Sequence, residues 1–337
     1  MKILVTGGAG YVGSVLIPEL VKEGHQIKCL DRFFFGDEYF LRPEFKNKVE
    51  LIKDDIRWFE QKILNDVDIV LDLAALSNDP VGDLDPAKTF DINYLGRSRV
   101  ARLSKIAGVK KYILASSASI YGQQNNVVDE NSKVNPLTSY SKANRMAEVD
   151  NLFLNDDNFT VTVLRFSSII GLSPRMRFDL AVNSMALELY NTGKIIVKGK
   201  NNTRPFLHIK DATRAYSTVI KTHDEKIAGQ IFNVGGEYLN YQMEDLAKEV
   251  GDSIGKKYEL ELQDTQDNRS YTASFKKIRE GLGFEPKFTV KDASKEIYDA
   301  LENGLIELEK TITVEWYKKL QAGNEFSKQV TLHDAIL

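Results

Sequence analysis

The run Thr6-Gly7-Gly8-Ala9-Gly10-Tyr11-Val12-Gly13 lies between an apolar stretch, Ile3-Leu4-Val5, and residues at helical spacing, Val12, Leu16 and Leu20. That order reads as strand, glycine turn and helix, and its chemistry is the holding of a pyrophosphate. Glycines let the backbone turn tightly and approach the phosphates, while the helix start offers free N–H groups and a positive dipole end. Gly7, Gly10, Tyr11, Val12 and Gly13 are therefore candidate cofactor contacts. A second apolar strand, Ile27 to Leu30, ends in Asp31, at the spacing of a carboxylate that binds the ribose 2′-OH of NAD. Arg32 follows it and would suit a 2′-phosphate, but Asp31 would repel that group, so the expected cofactor is NAD.

Three further clusters fall at the ends of apolar runs, the edge where open α/β sheets bind ligands. Asp55-Ile56-Arg57 follows Val49-Ile52, and Leu73-Ala74-Ala75-Leu76 ends the run from Ile69, its alanines small enough for close cofactor approach. Ala115-Ser116-Ser117-Ala118-Ser119-Ile120-Tyr121-Gly122 closes the next run, and Asn135-Pro136-Leu137-Thr138-Ser139-Tyr140 opens a helix. Serines and a tyrosine thus converge on one edge.

The elements that must position these residues alternate through the first half. Apolar runs at Val49-Ile52, Ile69-Leu73, Tyr112-Ala115 and Val161-Leu164 are separated by helical patterns near 57–64, 86–107 and 139–154. Such alternation predicts a Rossmann-type α/β fold with a doubly wound parallel sheet. After Arg165 shorter strands alternate with helices near 176–191, 210–221 and 241–254, which predicts a smaller C-terminal α/β domain. The expected division is 1–165, with some later segments returning to it, then 166–310, then a tail, 311–337, docked through Trp316 and Tyr317 and loose at its polar end.

With 337 residues, 42% of them hydrophobic, the chain can bury a full core. A net charge of -3 offers no basic field for nucleic acid or a membrane surface, so bound phosphates must be held by a few placed groups. Cys29, the single cysteine, lies in the second strand and reads as a buried hydrophobe, and four scattered histidines make no metal site. Neither a leader-like apolar stretch nor a run of about twenty apolar residues is present, so the expected location is the cytoplasm.

These residues resemble the extended short-chain dehydrogenase/reductase superfamily, in its nucleotide-sugar epimerase and dehydratase branch. The resemblance rests on Thr6 to Gly13, Asp31, Asp55, Ala74-Ala75, Asn93, Ser116 to Gly122, Tyr140 to Glu148, Arg165-Phe166 and Arg204 to Asp211. It implies that Ser117 and Tyr140 act on a sugar hydroxyl while NAD takes a hydride from its carbon. It also implies cofactor contacts at Asp55, Ile56, Leu73, Ala74, Ala75, Asn93, Ser116, Tyr140, Asn144 and Phe166, and substrate contacts at Ser77, Ser117, Tyr121, Ser168 and Arg175. Arg204 and Arg269 are similar to arginines that meet a nucleotide diphosphate, for which guanidinium forks are suited. A homodimer through the helices around 90–107 and 140–154 is implied as well.

Two positions depart from the family pattern. Asn144 stands where the resemblance implies a lysine that binds the nicotinamide ribose and lowers the tyrosine pKa. Lys142 is no substitute, because two residues along a helix turn it by about 200°. Asn144 can hydrogen-bond the ribose but carries no charge. Ala118 and Ser119 replace the Asp-Glu pair that dehydratases use as extra acid and base, so an NAD-dependent 4-epimerase is the leading expectation. A net 4-dehydrogenase or ketoreductase, and a binding protein without catalysis, are the alternatives.

Overall fold

The computed structural model describes residues 1–265, 267–323 and 330–332. Its first half runs β1 (Lys2–Thr6), α1 (Gly13–Lys22), β2 (Gln26–Asp31), β3 (Val49–Lys53), β4 (Ile69–Asp72), α2 (Asp79–Gly82) and α3 (Pro86–Phe90). A π-helical stretch, Asp91–Gly96, leads into α4 (Arg97–Ile106), β5 (Lys111–Ser117), β6 (Gln123–Val128), α5 (Ser139–Leu152) and β7 (Thr160–Phe166). Then come β8 (Ser168–Ile170), α6 (Ala181–Thr192), β9 (Lys194–Lys198), β10 (Thr203–His208), α7 (Ile209–Lys221), α8 (Asp224–Ile227) and β11 (Gln230–Val234). The chain continues through β12 (Asn240–Gln242), α9 (Met243–Ile254), β13 (Glu259–Gln263), β14 (Ser270–Ala273), α10 (Lys276–Leu282), α11 (Val290–Glu302) and α12 (Thr313–Ala322).

Seven parallel strands pair in the order β11-β7-β5-β4-β1-β2-β3, the expected doubly wound Rossmann-type sheet with one late strand, β11, at its edge. Its strands are apolar because helices cover both faces. Leu16, Ile17 and Leu20 of α1 and Ala215 and Val219 of α7 pack on one face, and Val100 and Ala101 of α4 and Ala147 of α5 on the other. Strand order reverses between β1 and β4, and that switch point opens a crevice at their carboxyl ends. Beyond it, two smaller sheets (β12-β10-β8 and β13-β9) meet a separate cluster of Val182, Met185, Leu189, Leu246, Val250 and Ala293 from α6, α9 and α11, while the β14-β6 pair packs into the main core through Val128, Tyr271 and Ala273.

Two helical expectations are revised. The pattern from Pro86 is not one α-helix, since its middle widens to a π turn where Asn93 clasps the Leu76 backbone, accepting from its N–H at 2.8 Å and donating to its carbonyl at 3.0 Å. Residues 57–64 hold only a 3₁₀ turn, Gln61–Leu64, because Asp55 captures both the backbone N–H and the guanidinium of Arg57. At the other end of the chain, α12 docks through buried Trp316 and Tyr317, the indole N–H donating to the Phe34 carbonyl at 2.7 Å. The polar end that was expected to be loose falls at 324–329 and 333–337, outside the described residues. No described helix is long and apolar enough to cross a membrane.

Candidate active site

A cleft of about 690 Å³ runs from the glycine turn and Asp31, past Ser117 and Tyr140, to Lys198, Arg204 and Arg269. Its volume is that of a ligand site. At the glycine turn the backbone is packed against its neighbours: a Cβ on Gly7, whose φ is +66°, would lie 2.8 Å from the Ala74 backbone, and one on Gly13 would lie 2.4 Å from the Gly8 carbonyl. Asp31 accepts from the N–H groups of Ala9 (3.0 Å) and Phe33 (2.8 Å). Burial pushes its carboxyl pKa up, and those N–H groups pull it partly back. Asp31, Gly7, Gly10, Tyr11, Val12, Gly13, Ile56, Leu73, Ala74 and Ala75 line this end, a glycine cradle and a carboxylate at the end of β2 whose chemistry fits a dinucleotide.

Tyr140 sits in the first turn of α5, which Thr138 starts through a reciprocal cap with Ser141. Gly82 allows α2 to press on it, because a Cβ there would come within 3.0 Å of the Tyr140 Cβ. Ser117 ends β5, and its Oγ accepts from the Ser119 N–H at 3.1 Å. Ser116, next to it, donates to the fully buried Glu148 at 2.6 Å, which Arg165 grips with two nitrogens at 2.9 and 2.8 Å. Phe166, Ser77 and Ser168 also reach the cleft. Arg204 and Arg269 share the Asp267 carboxylate, both at 2.6 Å, and Arg269 also pairs with Asp79.

A model of the NAD dependent epimerase/dehydratase family matches residues 3–235. The chain belongs to this family. Its cofactor is accordingly NAD. Among curated relatives, a UDP-glucose 4-epimerase of Lactobacillus helveticus is 29% identical over 308 residues, covering 85% of this chain and 92% of the relative. UDP-glucuronic acid decarboxylase 1 of Arabidopsis thaliana is 25% identical over 319 residues, covering 91% and 71%. In fold, the chain is similar to a Bacillus cereus UDP-glucuronic acid 4-epimerase solved with UDP-glucuronic acid and NAD, with a TM-score of 0.80 over 90% of this chain and 99% of that one at 24% identity.

Several residues take places in this epimerase/dehydratase cleft that differ from expectation. Tyr121 does not line it. Its phenol is buried, its single O–H lies within reach of two acceptors, Asn233 Oδ1 (2.8 Å) and the Asp129 carbonyl (2.9 Å), and its oxygen accepts from Arg165 (2.9 Å). Asn93 is spent on Leu76, and Asn144 lies behind the cleft wall rather than on it. Asp55 and Arg32 reach the cleft but pair with each other at 2.5 Å, and Arg57 forks onto both Asp55 oxygens at 2.9 and 2.8 Å. Arg175, expected beside the substrate, lies at the Asp31 end, its guanidinium 3.5 Å from the Phe35 ring centre. Burial, then the neighbouring Arg177, bring its pKa down to about 9.

Sequence reasoning passed over Arg97, Arg177 and Tyr317, all in the cleft wall. Arg177 forms a two-nitrogen fork on Asp179 (2.9 Å each) and donates to the Ser77 hydroxyl at 3.0 Å. Arg97 offered no signal, being one of five cations, with Lys88, Arg99, Arg102 and Lys105, in the 86–107 pattern.

Proposed function

We propose that the protein is an NAD-dependent 4-epimerase of UDP-sugars, working through a transient 4-keto sugar. The observation that carries this reading is that Ser117 and Tyr140 line one cleft together with the glycine turn, Asp31 and the Arg204–Arg269 pair. Residues 1–165 would hold the cofactor and 166–310 the sugar nucleotide, with the guanidiniums of Arg204 and Arg269 on the diphosphate. Bound NAD supplies the hydride acceptor and donor. Tyr140, as phenolate, takes the C4 hydroxyl proton directly or through the Ser117 hydroxyl as C4 becomes a carbonyl, and it returns the proton once the keto sugar has presented its other face. The names of the relatives supply the UDP-sugar class. The buried, non-ionising pair Ala118 and Ser119 argues against elimination of water, which needs a further acid and base.

Nuclear magnetic resonance of UDP-glucose and UDP-glucuronic acid incubated with the protein and NAD tests the reading. The expected result is inversion at C4 without build-up of NADH, abolished in Tyr140→Phe while NAD binding persists. Steady NADH release or loss of carbon dioxide from the glucuronate would replace it with a dehydrogenase or decarboxylase. Asn144 favours one second reading, a protein that binds sugar nucleotides without turning them over; binding across the panel with every product absent would establish it.

A further inference from the structure

Seven arginines line the cleft, and six of them have a carboxylate within salt-bridge range: Arg32 and Arg57 hold Asp55, Arg97 reaches Asp72, Arg177 forks onto Asp179, and Arg204 and Arg269 share Asp267. Among the described residues, Arg175 has none. Its Nη1 donates to the Met176 carbonyl at 3.3 Å and its Nη2 to the Thr313 hydroxyl at 3.0 Å, both of them neutral, and its Nε is buried without a hydrogen-bond partner. Phe35 covers one face of the guanidinium. Asp31 and Asp179 act on its charge from beyond contact distance. A cation drawn out of water is costly to keep unless an anion takes the place of the solvent, and the described side chains bring none into contact.

Which anion this charge would meet follows from how the Arg175 loop is held. The Tyr11 phenol donates to the Gly171 carbonyl at 2.6 Å, while the Ser173 hydroxyl donates to the Tyr11 carbonyl at 2.8 Å and meets the Ser14 hydroxyl at 2.9 Å. All three bonds are buried, so residues 171–173 are clamped onto the start of α1, where Ser14 is the second helical residue. Two positions further on, Arg175 lines the same cleft as Gly7, Gly10 and Gly13, with Asp31 close enough to act on its charge. The start of α1 gathers free backbone N–H groups and a positive dipole end, which is the place a pyrophosphate takes.

We propose that Arg175 is a ligand of the cofactor pyrophosphate: the glycine turn offers backbone N–H groups to the NAD phosphates, and the Arg175 guanidinium, through its charge and its unused Nε donor, neutralises them from the loop after β8. The cofactor is then held from both halves of the chain. This assigns to NAD an arginine whose sequence position suggested the sugar nucleotide. The inference is independent of the reaction that follows, because it concerns cofactor binding and is measured without sugar turnover.

The test is calorimetric titration of the full chain, stripped of bound nucleotide, with NAD, ADP, adenosine and UDP-glucose. Arg175→Gln is expected to weaken NAD and ADP each by about tenfold or more, as loss of a hydrogen bond to a charged group does, and to leave adenosine and UDP-glucose binding as before. Unchanged NAD affinity in the folded variant would overturn the proposal. So would an equal loss for ADP and adenosine, which would make Arg175 part of the adenosine wall, or a loss confined to UDP-glucose, which would return it to the substrate. If Arg175→Gln does not fold, nuclear magnetic resonance of the unaltered protein decides. The Arg175 Nε–H signal, identified by its loss in Arg175→Lys, should move when ADP is added and stay in place with adenosine; a signal that ADP leaves unmoved, or that adenosine moves equally, would overturn the assignment.

Discussion

Asp31 is half-buried and accepts two backbone N–H groups, so its carboxylate is oriented before a ribose reaches it. Asp31→Ala is expected to weaken NAD by about 1.5–3 kcal/mol, the range for a hydrogen bond to a charged group, and to narrow the preference over NADP. Calorimetric titration of both cofactors checks this, and tighter NADP binding by the unaltered protein would refute the preference. Arg204 and Arg269 differ from what their sequence suggested, because Asp267 draws on both charges. Arg204→Gln should weaken UDP-glucose binding toward the lower end of the same range and leave NAD affinity unchanged; equal sugar-nucleotide affinity would place the diphosphate elsewhere. Asp31 was legible because its spacing from the glycine turn is set by one βαβ unit. Asp267 was not, because the ion pair joins residues 63 positions apart.

At the scale of elements, the strands of the large sheet were legible as apolar runs bounded by glycine and polar residues, since a parallel sheet covered on both faces leaves little room for polar side chains. β6, β8, β12 and β14 were missed: they are short or polar, as in Gln123-Gln124-Asn125-Asn126, and exist because a partner strand meets them. An Arg97–Asn144 hydrogen bond was missed for a related reason, since it depends on how α4 leaves the π turn beside α5. Helix α11 gives an acid test of its own docking. Glu296 accepts from the Leu172 N–H at 2.8 Å and pairs with His208 (2.9 Å) and Lys210 (2.6 Å). Burial works against its ionisation, but these partners outweigh burial and bring its pKa down to about 2. A depressed carboxyl stabilises the fold above its unfolded value near 4.3 and loses that contribution as pH falls toward about 2. Glu296→Gln should therefore cost on the order of 2 kcal/mol at neutral pH and flatten the decline between about pH 4 and pH 2. Denaturant melts across that window would contradict this if both proteins declined in parallel.

For the whole molecule, α5 presents Met146 and Val149 to solvent, its C-terminal cap Phe153 is 91% exposed, and Leu95 and Ile106 are exposed on the neighbouring π turn and α4. Positions 146, 149 and 153 share one helix face, which a second copy of the chain would cover. Sedimentation is expected to show a dimer that Phe153→Glu dissociates, and a monomer at micromolar concentration would refute the assignment. A different kind of consequence follows from α12. Tyr317 closes the Asp31 end of the cleft, its ring 5.6 and 5.7 Å from those of Phe34 and Phe35, and Trp316 is tied to the Phe34 carbonyl. Arg175, stacked on Phe35, is also bonded to Thr313 at the start of α12 at 3.0 Å. The adenosine end of a bound dinucleotide would thus be walled by α12, and its escape would wait on that helix peeling away. A chain ending after residue 311 should lose labelled NAD far faster than the full chain, while equal rates would show that the helix does not hold the door. Residence time, and with it the ability to run many cycles on one cofactor molecule, would then be a property of the carboxyl terminus rather than of the glycine turn that grips the phosphates.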